Sequence, residues 1–265
     1  MIVDKRVLVR SGGDLSSAVV QKLYRCGFEI VISELEQPRM VRRTVSFSNA
    51  VYEGDYEVEG IRAVHVKDVK DLSLYLKQKL IPVVTDSEIK ILEVYKPDIF
   101  IDATLSKKTV TYNKEYMPIV IGLGPEIVAG QDADIVIETC RGHDLGRLIF
   151  EGVAKPNTSI PGFIDGYGKE RVLRAPCDGK IETLKKIGDM VEKDEIILTV
   201  NGMPVRSQIS GIIRGLIHPS VRVTKGLKIG DVDPRGLYDY CFTISDKGRN
   251  IAGGVLEAIS ILSDE

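Results

Sequence analysis

In the first half of the chain, short runs of apolar residues alternate with segments in which apolar residues recur at helical spacing. Arg6–Arg10 reads as a strand, and residues 15–26 read as a helix because their apolar side chains recur every three or four positions. A second strand is predicted over 28–32. Later strands are predicted over 63–66, 81–85, 98–103, 118–125 and 133–139, and helices over 68–79 and 87–95.

Most of these strands lack strict alternation, which is typical of a parallel sheet buried on both faces. We therefore predict a Rossmann-like, mostly parallel α/β domain over residues 1–150. A turn-rich linker is expected over 151–172. The final helix, within a segment spanning 237–265, is predicted over 245–262 with Ser245 or Asp246 as its cap. Gly253 and Gly254 lie inside that helix, where glycine is costly, so close packing against another backbone is expected.

Residues 173–236 contain a two-fold repeat at an offset of 32 positions, which pairs Gly179 with Gly211 and Ile181 with Ile213. Two equivalent sets of short strands predict a small all-β barrel-sandwich. The phrases APCDGKI at 175–181 and GDMV at 188–191 resemble those of the biotinyl/lipoyl carrier module. Such carriers present a modifiable lysine on the hairpin between the repeats. The hairpin at 200–206 has none, so we expect no biotin or lipoyl attachment.

The turn after the first strand has features of a nucleotide site. Gly12 and Gly13 would let backbone N–H groups approach a phosphate, and Glu34 follows the next strand, where a ribose-binding acid belongs. Asp14 is included in this candidate set, although its charge opposes phosphate binding. The three-glycine fingerprint is incomplete, and the alternative is a tight strand-to-helix turn with Asp14 as the cap.

Other candidate ligand contacts follow along the chain. Arg42 and Arg43 could bind phosphate in bidentate fashion, although a solvated helix face is the commoner role for such a charge run. Asp102, Gly122 and Gly124 close predicted strands at the carboxyl edge, where open α/β sheets bind ligands. The identity of the ligand stays unknown, and these residue types in this pattern would suit a nucleotide.

Glu138, Arg141 and His143 are the candidate catalytic residues, in a glycine-rich stretch at the predicted domain junction. A histidine beside carboxylates and an arginine can exchange protons near neutral pH. The alternative is a polar loop in which His143 only contacts backbone. His65, inside an apolar strand, is expected to be structural.

The composition of the chain disfavours several classes of binding partner. The formal net charge is −2 and tryptophan is absent, which disfavours a nucleic-acid binder. No apolar run is long enough to cross a bilayer, and no secretory signal core is apparent. The four cysteines form no metal-binding pair, so no metal site is predicted. We expect a cytoplasmic protein without a membrane partner, and self-association into a homo-oligomer is left open.

Several longer phrases identify a family resemblance: GGDLSS at 12–17, ELEQPRMVRRTVSFSNAVYEG at 34–54, IGLGPEIVAG at 121–130, ETCRGHDLGRLIFEG at 138–152 and KGLKIGDVDPRG at 225–236. Together they resemble the YqeB family of accessory proteins of selenium-dependent molybdenum hydroxylase systems. The resemblance implies a maturation factor that binds a nucleotide- or molybdopterin-type cofactor and docks the hydroxylase. It assigns no catalytic residue and leaves open whether the chain is an enzyme.

Two other functions remain open at this point. One is an NAD(P)-dependent oxidoreductase with His143 as its acid or base, and the incomplete glycine fingerprint counts against it. The other is a scaffold that binds no ligand. Fold alone does not decide between such functions.

Overall fold

The computed structural model describes residues 5–105, 111–156 and 161–263. The chain divides into two compact units, and both are discontinuous in sequence. The first comprises Met1–Glu36, Phe47–Asn157 and Ile244–Glu265, and the second comprises Gln37–Ser46 and Thr158–Thr243. The predicted division at 1–150, 151–172, 173–236 and 237–265 treated each domain as a continuous stretch.

The first unit is built on a nine-stranded mixed sheet. In chain order its strands are β1 (Arg6–Arg10), β2 (Glu29–Glu34), β3 (Asp55–Val58), β4 (Ile61–Val66), β5 (Ile81–Thr85), β6 (Ile99–Asp102), β7 (Val120–Leu123), β8 (Ile135–Ile137) and β9 (Leu148–Ile149). Their spatial order is β3-β4-β5-β2-β1-β6-β7-β8-β9. The seven inner strands run parallel, whereas β3 and β9 pair antiparallel with their neighbours.

Among the described residues, this unit has five α-helices: α1 (Asp14–Arg25), α2 (Ala50–Glu53), α3 (Leu72–Lys77), α4 (Ile91–Tyr95) and α6 (Asp246–Ser263). The central strand β1 is buried on both sides, and Val9 is aligned with Ile32 of β2 and Ile101 of β6. Burial on both faces explains why the strands show no alternating pattern. The carboxyl ends of β1, β2, β6, β7 and β8 meet at one edge of the sheet.

Helix α6 packs against α1 and the loop after β8. A Cβ atom at Gly248 would lie 2.8 Å from Cβ of Ala18, and one at Gly254 would lie 2.4 Å from the carbonyl oxygen of Gly146. The prediction of close backbone packing is confirmed for Gly254. It does not hold for Gly253, which has no neighbour nearer than 3.6 Å. The Ser245 hydroxyl accepts the N–H of Gly248 at 3.2 Å and caps the helix as predicted.

The second unit holds two separate antiparallel sheets. One is ordered β10-β16-β15-β12 and the other β11-β13-β14. Their bounds are β10 (Val172–Arg174), β11 (Ile181–Thr183), β12 (Met190–Val191), β13 (Ile196–Val200), β14 (Met203–Arg206), β15 (Gly211–Leu216) and β16 (Lys228–Asp233), with a short helix α5 (Asp239–Phe242). The predicted hairpin at 200–206 is present as β13 and β14, joined through Asn201 and Gly202.

The predicted fold class, a Rossmann-like sheet domain followed by a barrel-sandwich, is wrong. The first sheet is mixed, because the hairpin β3–β4 and strand β9 add antiparallel edges to it. The sequence repeat does not produce equivalent halves: β11 pairs with β13, whereas its counterpart β15 pairs with β12 and β16. The two sheets accordingly differ in size, with four and three strands. None of the helices in the described part of the chain is long and apolar enough to span a membrane.

Candidate functional site

The turn between β1 and α1, residues 11–14, is called the glycine turn below. Within this turn, Gly12 is hydrogen-bonded and closely packed against other residues of the chain. The Gly12 N–H donates to Oε2 of Glu34 at 2.8 Å, and its carbonyl accepts the Ser48 N–H and the Ser17 hydroxyl, each at 3.0 Å. A Cβ atom here would lie 2.7 Å from the Ser48 hydroxyl oxygen. Residues 47–49 therefore occupy the space that a glycine leaves for a phosphate in a dinucleotide site.

Glu34 is buried and completes this network. It accepts the Gly12 N–H, the N–H of Leu35 at 2.8 Å, and the hydroxyl of Ser48. A buried carboxylate is stabilised by several such donors, because they replace its lost hydration. Its donors come from the chain itself, which gives Glu34 a structural role beside the turn. Ser48 was not among the sequence candidates.

Gly13 and Asp14 begin α1. Gly13 is the N-cap residue and provides no side-chain cap, and a Cβ atom there would meet only the Ser11 hydroxyl at 3.8 Å. Asp14 is in the first helical turn and is not the cap that the alternative interpretation placed there. The side of the turn that carries Gly13 is thus more open than the side that carries Gly12.

Lys247, in the first turn of α6, lies among groups from several elements at this edge. Burial is the largest effect on its amine and lowers the pKa below the ordinary value; Asp14 opposes that shift and Arg141 adds to it. Cys140 and Glu138 are also close enough to influence it. Within the described residues its ammonium has no hydrogen bond or ion pair. The sequence gave no signal for Lys247, which looks like an ordinary charge at a helix start.

Glu138 closes β8 and fixes the loop that follows. Its carboxylate accepts the N–H of Cys140 at 2.7 Å and the N–H of Lys155 at 2.9 Å. Its backbone N–H donates to the carbonyl of Arg147, and its carbonyl accepts the N–H of Gly146, each at 2.9 Å. Glu138 is buried, and with two backbone donors on its side chain it positions the loop. These bonds favour a structural role for Glu138 over the predicted catalytic one.

Arg141 and His143 lie on the exposed part of that loop. Arg141 makes a bidentate pair with Asp246 of α6, with distances of 2.7 and 3.2 Å. His143 lines an open cavity of about 600 Å³ between the loop and α6, together with residues that include Arg147, Asn250 and Glu257. The neighbouring Asp144 has its pKa lowered first by a hydrogen bond from Lys155, with His143 contributing less.

The remaining carboxyl-edge candidates are engaged within the fold. Asp102 accepts the guanidinium of Arg10 at 3.3 Å and the backbone N–H of Thr104 at 3.0 Å. A Cβ atom at Gly122 would lie 2.7 Å from a methyl of Ile127. Gly124 has a φ of +123° beside the backbone of Leu105. Each glycine therefore satisfies a packing or conformational requirement of the loops after β7.

Arg42 and Arg43 belong to the second unit and bind its backbone. The Arg42 guanidinium donates to the carbonyls of Tyr240 at 2.9 Å and Thr243 at 3.2 Å, and Arg43 Nε donates to the carbonyl of Leu216 at 2.8 Å. These bonds anchor the segment that carries both arginines. Both arginines are in the second unit, whereas the glycine turn belongs to the first.

The structure thus brings together Asp14, Glu138, Arg141 and the unpredicted Lys247, and it leaves His143 at a separate open cavity. Across the described ranges, no cluster of three or more histidine, cysteine, aspartate or glutamate side chains could hold a metal ion.

Comparison with known proteins places the chain in a broader context. Over 256 residues it is 38% identical to the uncharacterized protein YqeB of Escherichia coli (strain K12). This similarity supports the resemblance to the YqeB family that the sequence phrases indicate. The match covers 97% of this chain and 47% of that relative, so the chain spans about half the relative's length. No protein-family model matches the chain.

Likeness to solved structures is slight. The ectoine utilization protein EutE (DoeB) from Ruegeria pomeroyi is 10% identical, with 85% of this chain and 56% of that chain covered and a TM-score of 0.23. A succinylglutamate desuccinylase/aspartoacylase from Rhodobacter sphaeroides is 14% identical, with coverages of 86% and 84% and a TM-score of 0.27. Scores this low support no conclusion about fold or activity.

Proposed function

We propose that the chain is a cytoplasmic accessory factor for the maturation of a selenium-dependent molybdenum hydroxylase, which it would dock. In this proposal it binds a nucleotide- or pterin-type ligand at the carboxyl edge of its nine-stranded sheet. The accessory role rests on the resemblance of the sequence phrases at 12–17, 34–54, 121–130, 138–152 and 225–236. The position of Lys247 supports the ligand site.

Lys247 is the observation that carries the proposal. A partly buried ammonium without a direct acceptor loses hydration and gains no bond in return, which is costly. Such perturbed groups are concentrated at functional sites. An anionic group of the ligand would supply the missing acceptor. It would lie near the start of α1, where the helix dipole also favours negative charge.

The closed side of the glycine turn limits how a ligand is held. Gly12 and Glu34 bond each other, which counts against a dinucleotide bound in the usual way and hence against the NAD(P)-dependent alternative. Lys247 partly offsets the negative charge of Asp14, which by itself opposes phosphate binding. Arg141, held by Asp246, adds a second positive charge at this edge.

The proposal is tested by titrating the full chain with ATP, CTP, NADPH and a molybdopterin-type ligand in a calorimeter. We expect at least one ligand to bind, and Lys247→Met to weaken it by about tenfold or more, the effect of losing one charge-assisted hydrogen bond. Lys193→Met is the control, because Lys193 is exposed in the second unit. Equal ligand affinities of the Lys247→Met and Lys193→Met variants would show that Lys247 does not bind the ligand. Absence of binding by every ligand would favour the scaffold alternative.

A further inference from the structure

The chain leaves the first unit and returns to it within a short distance. Residues 37–46, called the crossing segment below, belong to the second unit, while Glu36 before it and Phe47 after it belong to the first. Whatever holds these two flanks controls where the crossing segment begins and ends.

Both flanks are bound to the glycine turn. On the near side, Glu34 accepts the Gly12 N–H at 2.8 Å. On the far side, the Ser48 N–H donates to the Gly12 carbonyl at 3.0 Å, and the Ser48 hydroxyl donates to Glu34. The Phe47 N–H donates at 2.9 Å to the Ser17 hydroxyl, which in turn donates to the Gly12 carbonyl. Gly12 is therefore the common anchor of the two flanks.

The middle of the crossing segment is bound to the second unit instead. Arg42, Arg43 and Thr44 donate to the backbone carbonyls of Tyr240, Leu216 and Cys241. Val41 packs against Gly215, where a Cβ atom would lie 2.8 Å from a Val41 methyl. The flanks are thus held within the first unit, and the segment itself is held within the second.

The anchor itself has little freedom. Ser11 has a φ of +81°, a region that non-glycine residues adopt at a cost. The Gly12 Cα is so close to Ser48 that even one methyl group would overlap its hydroxyl oxygen and its backbone nitrogen, at 2.7 and 3.0 Å. A side chain added at Gly12 must therefore shift Ser48.

We propose that the glycine turn and the crossing segment form one conformational device, in which the state of the turn sets how firmly the crossing segment is held. A ligand at the carboxyl edge would then change how firmly residues 37–46 are held. That trigger rests on the proposed function. The coupling itself is a property of the chain without ligand.

Hydrogen exchange followed by mass spectrometry tests the coupling on the full chain with no ligand added. In Gly12→Ala, peptides covering the crossing segment are expected to exchange about tenfold faster, because overpacking disrupts both flanks. Ser48→Ala removes the hydroxyl bond to Glu34 without adding bulk and is expected to act in the same direction. Gly13→Ala is the matched control, since its Cβ atom meets only ordinary contact. Peptides from β6 and β7 are expected to keep wild-type exchange in all three variants.

Equal exchange of the crossing segment in Gly12→Ala and Gly13→Ala would overturn the proposal. If Gly12→Ala also loosens β6 and β7, the Ser48→Ala variant decides: wild-type exchange over 37–46 contradicts the coupling, and faster exchange confined there supports it. The absence of added ligand keeps this result separate from the calorimetric test of Lys247. Either proposal can fail while the other stands.

Discussion

The glycine turn and the loop after β8 both lie at the carboxyl edge of the same sheet, and both are rich in glycine and charge. In the turn, the polar groups of Gly12 and Glu34 bond each other and Ser48 in a buried network. In the loop, Arg141 and His143 are exposed, and Lys247 of α6 lies partly buried nearby, without a direct acceptor among the residues that the structure describes. Similar sequence signals thus serve structure in one region and leave chemistry available in the other.

The largest effect is expected from breaking the buried network. Glu34→Ala should lower the free energy of unfolding by about 3 kcal/mol, because it leaves the Gly12 and Leu35 N–H groups and the Ser48 hydroxyl without their acceptor. Urea unfolding of both proteins measures it. Glu36→Ala, an exposed position, serves as the control and should change stability by less than about 0.5 kcal/mol. Similar values for the two variants would mean that the turn is not held by Glu34.

The two adjacent glycines of α6 sharpen the description of the loop side. Gly254→Ala should destabilise the protein by about 2 kcal/mol, because its Cβ atom would lie 2.4 Å from the Gly146 carbonyl oxygen. Gly253→Ala meets no close atom and should stabilise the protein by up to about 1 kcal/mol through better helix propensity. Thermal unfolding of both variants distinguishes the two cases. Changes of the same sign would contradict the packing of α6 on the loop.

The exposed ion pair between Arg141 of the loop and Asp246 of α6 should contribute little to the free energy of unfolding. Arg141→Ala removes the bidentate contact with Asp246, whose side chain is 74% exposed. Exposed ion pairs contribute about 1 kcal/mol at most, so we expect a loss below that in urea unfolding. A loss as large as that of Glu34→Ala would show that the loop is as firmly built as the turn.

The sequence predicts features that depend on neighbouring residues better than features that depend on contacts distant in sequence. The strand Arg6–Arg10 and the central strands were predicted correctly because buried apolar runs mark them directly. The antiparallel edges of the sheet were missed, since strand direction depends on contacts distant in sequence. The roles of Arg42 and Arg43 were missed for the same reason, because their partners lie about 170 to 200 positions further along. Lys247 becomes notable only when α6 is packed.

A smaller effect, on pH dependence, concerns His65 in β4. Burial is the largest influence and Lys67 the second, and both lower its pKa in the folded protein; its Nε2 atom has no partner in the described part of the chain. Below the ordinary pKa of 6.5 the unfolded state binds the proton more readily, so stability should fall as the pH falls through that value. The fall ends below the depressed folded-state pKa. Urea midpoints at neutral and mildly acidic pH should differ less in His65→Gln than in the wild type. An unchanged pH dependence in that variant would exclude His65 as the cause.

The most direct test of the central claim, that the carboxyl edge binds a small-molecule ligand, is native mass spectrometry of the protein purified from its own source. Elemental analysis for selenium and molybdenum would accompany it. The account predicts a co-purifying nucleotide or pterin mass that is lost in the Lys247→Met variant and kept in Lys193→Met. A bare chain mass that stays unchanged after adding ATP, CTP, NADPH and a molybdopterin-type ligand would contradict it.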